Sequence, residues 1–126
     1  KEKIVYALSC DSLENLGKYA VDNDTKAYIG YRAKFMIVCD PARGCTPHTD
    51  KNAHPFKIAC FTLINSLISG LTTQKSIELT KREYESLITS YGTSEDDPYG
   101  DVPLIRFALT WDLEFLDMCG DTAAYF

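Results

Sequence analysis

The side chains best suited to covalent or metal chemistry are five cysteines and two histidines: Cys10, Cys39, Cys45, Cys60, Cys119, His48 and His54. Cys10 stands apart by its setting. It follows the run Ile4-Val5-Tyr6-Ala7-Leu8-Ser9, which is rich in strand formers and continuous enough to suit a strand buried on both faces. Asp11 or Ser12 then caps a helix on which Leu13, Leu16, Tyr19 and Ala20 recur at helical spacing. A thiol at the carboxyl end of a strand and ahead of a helix lies where active sites of α/β proteins collect. Helix dipole and unpaired N–H groups there favour the thiolate, which is the nucleophile, and the same N–H groups can hold an oxyanion. The plainer alternative is a small buried residue, the commonest fate of a free cysteine.

A thiolate nucleophile needs a base, usually histidine. Both histidines, His48 and His54, lie in the loop rich in Pro, Gly, Asp and Cys that spans 39–55. That loop also spaces Cys39, Cys45, His48 and His54 as Cys-x5-Cys-x2-His-x5-His, two thiols and two imidazoles of the kind zinc accepts. The spacing matches no common zinc-finger pattern, so a metal-binding regulatory loop is an alternative, and the expectation for the chain is no metal and no cofactor. Neither a Walker A loop, Gly-x-Gly-x-x-Gly, Gly-x-Ser-x-Gly nor His-Glu-x-x-His occurs. Glu95-Asp96-Asp97 reads as a solvated loop.

These residues need a frame. Asp22-Asn23-Asp24 signals a turn, Lys26–Tyr31 a second strand, and Lys34–Val38 an extension of it or a third. Strand, helix, strand with short links is a βαβ unit, which predicts a parallel sheet. Pro55 suits the first position of a helix to about Ser69, stopped by Gly70. Thr72 or Thr73 caps the next, which carries Ile77, Tyr84, Leu87 and Ile88 on one face and ends at Gly92. Pro103 opens a last helix through Trp111, and Phe115–Cys119 suits a short strand before Gly120-Asp121. The expected class is α/β with a helix-rich second half. Tyr84, Tyr91, Phe107 and Trp111 lie on helical spacings and read as core.

Composition bounds the rest. With 126 residues, 45% hydrophobic and 25% charged, the chain suits one globular domain over 1–126. A net charge of −5 argues against a nucleic-acid partner. The most apolar stretch, Ile58–Leu71, is broken by Thr62, Asn65, Ser66 and Ser69, so no membrane span is expected. An odd cysteine count predicts reduced thiols and a cytoplasmic setting. The chain opens Lys1-Glu2-Lys3 straight into a strand, with neither Met nor leader, which suggests a piece of something longer.

Around Cys10 the sequence resembles the caspase-like cysteine peptidases, in particular their prokaryotic CHAT and gingipain-related branch. The residues that carry the likeness are Ile4–Cys10, then Leu16-Gly17, then Lys26–Tyr31. Two later stretches agree: Pro55-Phe56 with its helix and Gly70-Leu71-Thr72-Thr73, and Cys119-Gly120-Asp121-Thr122-Ala123. The resemblance implies the C-terminal part of a caspase-like domain and a cysteine endopeptidase, a regulated prokaryotic effector acting on protein or peptide. It puts Cys10 in the nucleophile's place, with its backbone N–H in the oxyanion hole. It puts Gly30, Tyr31 and Arg32 where a strand end lines the substrate pocket. In that family the catalytic His precedes the Cys, yet none of the nine residues before Cys10 is His. The resemblance therefore implies that the base comes from an N-terminal part of the same domain or from a partner chain. A non-catalytic caspase-like binding module is the other reading, and His48 and His54 are a fallback should the fold differ.

Overall fold

The computed structural model describes residues 3–39, 51–90 and 102–125. Its elements are β1 (Lys3–Tyr6), a π-helical turn (Leu13–Gly17) running into α1 (Lys18–Asp22), β2 (Thr25–Tyr31), α2 (His54–Ile68), α3 (Thr73–Ser90), α4 (Val102–Phe115) and β3 (Leu116–Gly120). The α/β class and the helix-rich second half stand as expected.

β2 is the middle strand of a three-stranded sheet ordered β1-β2-β3. It pairs in parallel with β1, in the register Val5↔Tyr28 and Tyr6↔Ile29, so the strand, helix, strand unit is real. It pairs antiparallel with β3, from Ala27↔Gly120 to Tyr31↔Leu116. The sheet is therefore mixed, which corrects the expectation of a parallel one. Three helices separate β2 from β3, a connection long enough for either direction, and α4 runs directly into β3, which lies against β2 in the opposite sense. Lys34–Val38 forms no strand; it is irregular.

Helices cover both faces of β2, which is why all of 27–31 is buried. On one face lie the π turn and α1, against Tyr28 and Gly30. The fit there is close: a Cβ at Gly30 would sit 2.7 Å from the Ser12 Oγ, so this position needs a glycine. On the other face Ile29 and Tyr31 meet Phe56, Ala59, Leu63 and Leu67 of α2, Ile77 and Tyr84 of α3, and Ile105, Ala108 and Leu109 of α4. Those spacings of three and four residues are what bury one stripe of each helix.

The helix ends follow from local chemistry. α2 carries Pro55 in its first turn and ends in a Schellman motif. In that motif the Gly70 N–H donates to the Leu67 carbonyl and the Leu71 N–H to the Ser66 carbonyl, with Gly70 at φ +87°. Thr72 Oγ1 accepts from the Lys75 N–H at 3.2 Å, the side-chain cap of α3. Two further N–H groups of that helix start, those of Thr73 and Gln74, donate to the carbonyls of Ala124 and Thr122. The residues after β3 thus close the α3 N-terminus.

Candidate active site

Cys10 is exposed and lies in the loop that joins β1 to the π turn, at the carboxyl end of the parallel pair. The loop is shaped by Asp11 at φ +52°, a left-handed conformation that Asp tolerates better than most residues. The Asp11 N–H donates to the Ala33 carbonyl at 3.1 Å, and the Ala7 N–H donates to the Ile29 carbonyl at 2.9 Å. Both ends of the loop are therefore fixed to β2 or its continuation. Among the described residues the Cys10 N–H donates to no carbonyl. The Cys10 thiol approaches the Phe35 carbonyl at 4.0 Å, the outer limit for a sulfur donor.

The segment after β2 forms the wall behind that thiol. Arg32 N–H donates to the Phe115 carbonyl at 2.9 Å, which extends the β2–β3 pairing by one step. From there the chain lies between the Cys10 loop and α4. Trp111 Nε1 donates to the Lys34 carbonyl at 2.8 Å, and the Met36 N–H donates to Asp112 Oδ1 at 2.8 Å. The Trp111 ring packs against Phe115 at a tilt of 48°, with centroids 4.7 Å apart.

The three residues expected to line a pocket are placed differently from one another. Gly30 is buried under Ser12. Tyr31 is 1% exposed and turns into the helical face. Arg32 alone presents its side chain to solvent, with Nε 3.3 Å from Asp117 Oδ2. Of the expected set, Cys10 and Arg32 are the accessible members, one in the loop after β1 and the other just past the end of β2.

Sequence reasoning missed a buried polar cluster beneath this surface. The Tyr6, Tyr31 and Tyr84 hydroxyls form a chain, 3.3 Å and then 3.2 Å apart. The buried Cys60 thiol lies close enough to the Tyr6 hydroxyl for each to influence the other's proton. Burial pushes all three phenols well above their ordinary range, and burial likewise raises the Cys60 thiol against the pull of the Tyr6 hydroxyl. Asp112 closes the cluster from α4 with no exposed surface. Burial raises its carboxyl to about 8, opposed by the single hydrogen bond from Met36, and its Oδ2 has no partner. One signal was readable in advance. Ile105, Ala108, Leu109 and Asp112 share one helix stripe, so a lone acid stands on an otherwise apolar face.

The loop alternatives are divided by what is described. Cys45 and His48 lie outside the described residues. Cys39 and His54 are exposed, His54 at the first position of α2. Among the described residues no three metal-ligating side chains cluster. Among them also, no helix is long and apolar enough to cross a membrane. No family model, no curated protein and no solved structure matches the chain.

Proposed function

We propose that this chain carries the nucleophile of a caspase-like cysteine endopeptidase, related to the CHAT and gingipain branch, that hydrolyses protein or peptide substrates. The observation that carries the reading is Cys10: an exposed thiol in the loop that leaves the carboxyl end of a parallel strand, in a fixed turn, with its own N–H bonded to no carbonyl among the described residues. In this mechanism the Cys10 thiolate attacks the scissile carbonyl carbon. The Cys10 N–H receives the developing oxyanion. The base takes the thiol proton and returns it to the leaving amine, and water then hydrolyses the thioester.

The base is an imidazole that this reading assigns to an N-terminal part of the same domain or to a partner chain. The described neighbour of the thiol is the Phe35 carbonyl. That contact is also what favours the second reading, a caspase-like module that binds without cleaving. Arg32, the exposed member of the strand end, is the substrate-side residue, suited to a carbonyl or carboxylate of the bound peptide. Cys10, Cys39, Cys60 and Cys119 are all unpaired thiols, which supports a reducing compartment and, in this reading, the cytoplasm of a prokaryote.

The test is substitution in the full-length protein. Cys10→Ala and Cys10→Ser are expected to abolish peptide hydrolysis and covalent capture by a peptidyl acyloxymethyl ketone. Undiminished hydrolysis would sink the nucleophile. Binding of a peptide by Cys10→Ala and by the unmodified chain alike, with cleavage by neither, would select the binding module.

A further inference from the structure

We propose that Trp111 and Asp112 are the positioning pair of the Cys10 site: from α4 they fix the segment 33–36 that forms the wall behind the thiol. The inference deepens the peptidase reading and takes from it only that Cys10 is the reacting group.

The geometry alternates along four residues. The carbonyls of Ala33 and Phe35 face the Cys10 loop, one receiving the Asp11 N–H at 3.1 Å and the other lying 4.0 Å from the thiol. The carbonyl of Lys34 and the N–H of Met36 face the other way, each bonded at 2.8 Å to a side chain of α4. This is the two-sided pattern of a strand, carried without a strand partner. On the loop side the bonds come from a turn. On the α4 side they come from Trp111 and Asp112, each held by its own surroundings: Trp111 by its tilted ring contact with Phe115, and Asp112 by burial with no exposed surface. The position of the Phe35 carbonyl, and with it the space beside the Cys10 thiol, is therefore set from α4.

The two anchors differ in kind. The Trp111 bond links an indole N–H to a carbonyl and is indifferent to pH. The Asp112 bond is made by a titratable group. It faces Cys60 of α2 and Tyr84 of α3, and through the hydroxyl chain Tyr31 of β2 and Tyr6 of β1. None of these supplies a cation. A charge on Asp112 is opposed by its surroundings, and one N–H leaves Oδ2 unsatisfied. Burial thus favours the neutral acid, while the Met36 N–H that bonds Oδ1 favours the carboxylate.

The test is peptide-resolved alkylation of the full chain by iodoacetamide, with Cys119 as the internal reference, alongside hydrogen exchange of the 33–36 segment. Trp111→Phe keeps an aromatic ring against Phe115 and removes the donor. Asp112→Leu removes the acceptor, and Asp112→Asn restores it as a neutral amide. Trp111→Phe and Asp112→Leu are expected to speed Cys10 labelling about threefold or more while Cys119 holds its rate. Both are also expected to speed exchange at Met36, and Asp112→Asn to label like the parent chain. Unchanged Cys10 labelling in Trp111→Phe and in a folded Asp112→Leu overturns the proposal. If Asp112→Leu fails to fold, Trp111→Phe alone decides. An Asp112→Asn chain as fast as Trp111→Phe removes Asp112 from the pair. Labelling needs no catalysis, so a positioned thiol in a chain that cleaves nothing would reject the peptidase and keep the pair.

Discussion

Two thiols of this chain lie within one fold and differ in almost every physical respect. Cys10 is exposed on a turn, near one carbonyl, with its own N–H bonded to no carbonyl among the described residues. Cys60 is buried on α2, beside the Tyr6 hydroxyl and close enough to Asp112 to feel its charge, and burial raises it. Both follow apolar runs in the sequence. The difference shows that a cysteine's chemistry here is decided by the element that carries it. A strand end delivers its last residues to solvent at the rim of the sheet. A helix that packs on the sheet delivers every third or fourth residue to the core.

The largest expected effect tests that contrast directly. With iodoacetamide under native conditions, Cys60 should label about a hundredfold or more slower than Cys10, because its thiol reacts only when the helical layer opens. In denaturant the two rates should converge. Equal native rates would mean that the α2 face opens freely and that the buried cluster is not a cluster in solution.

Much of this was legible in the sequence, and what was not has a common cause. The order of elements and the parallel β1–β2 pair follow from short-range signals: strand formers at Ile4–Leu8, turn residues at 22–24, Pro55, Gly70, Pro103. The exposure of Cys10 does not, because β1 ends at Tyr6, short of the Ile4–Ser9 run. The antiparallel pairing of β3 was not legible, because it depends on how three helices between β2 and β3 pack on the sheet. Tyr31 shows the limit more sharply. Its place at a strand end suggested a pocket, yet the period-two alternation of β2 puts it on the same face as Ile29, toward the helices. Gly30 fails as a pocket residue for the opposite reason, since the other face is already filled by Ser12. Asp112 and the hydroxyl chain lie farther still from local signals. Tyr6, Tyr31 and Tyr84 come from three separate elements, and only the folded chain shows that they meet.

That cluster supplies the next effect. Asp112 has its folded carboxyl raised from 3.8 to about 8, so the folded chain holds a proton that the unfolded chain releases. Its contribution to stability is present at low pH and is lost as pH rises from about 4 toward 8, by up to about 1.4 kcal/mol per unit, and is level above that. Asp112→Asn has no such proton to hold. Urea unfolding at pH 5 and pH 8 should show the parent chain losing about 2–4 kcal/mol more than the variant, since full burial of the acid is the cause. Parallel pH dependence in the two would mean that Asp112 is ionised in the fold, and would move the polar cluster toward the wetter, Cys10-like side of the contrast.

The smallest effect lies at the rim itself. Arg32 and Asp117 form an ion pair at 3.3 Å with both side chains close to half exposed, 46% and 45%. Water and salt screen such a pair, and ordering two side chains opposes it, so Arg32→Ala should cost at most about 1 kcal/mol, less in high salt. The Asp117 carboxylate keeps a partner in the Met118 N–H at 2.8 Å, which limits the loss further. The Arg32 backbone bond to Phe115 survives the substitution. Function is expected to respond more than stability does. If the exposed strand end receives the peptide, the variant should raise KM for a peptide substrate and leave kcat near the parent value, because an arginine that contacts remote substrate atoms binds ground and transition states alike. A stability loss above about 2 kcal/mol would place Arg32 with the buried region instead, since exposed pairs do not reach that size. An unchanged KM in a chain that still cleaves would remove Arg32 from the substrate side and leave the rim to Cys10 alone.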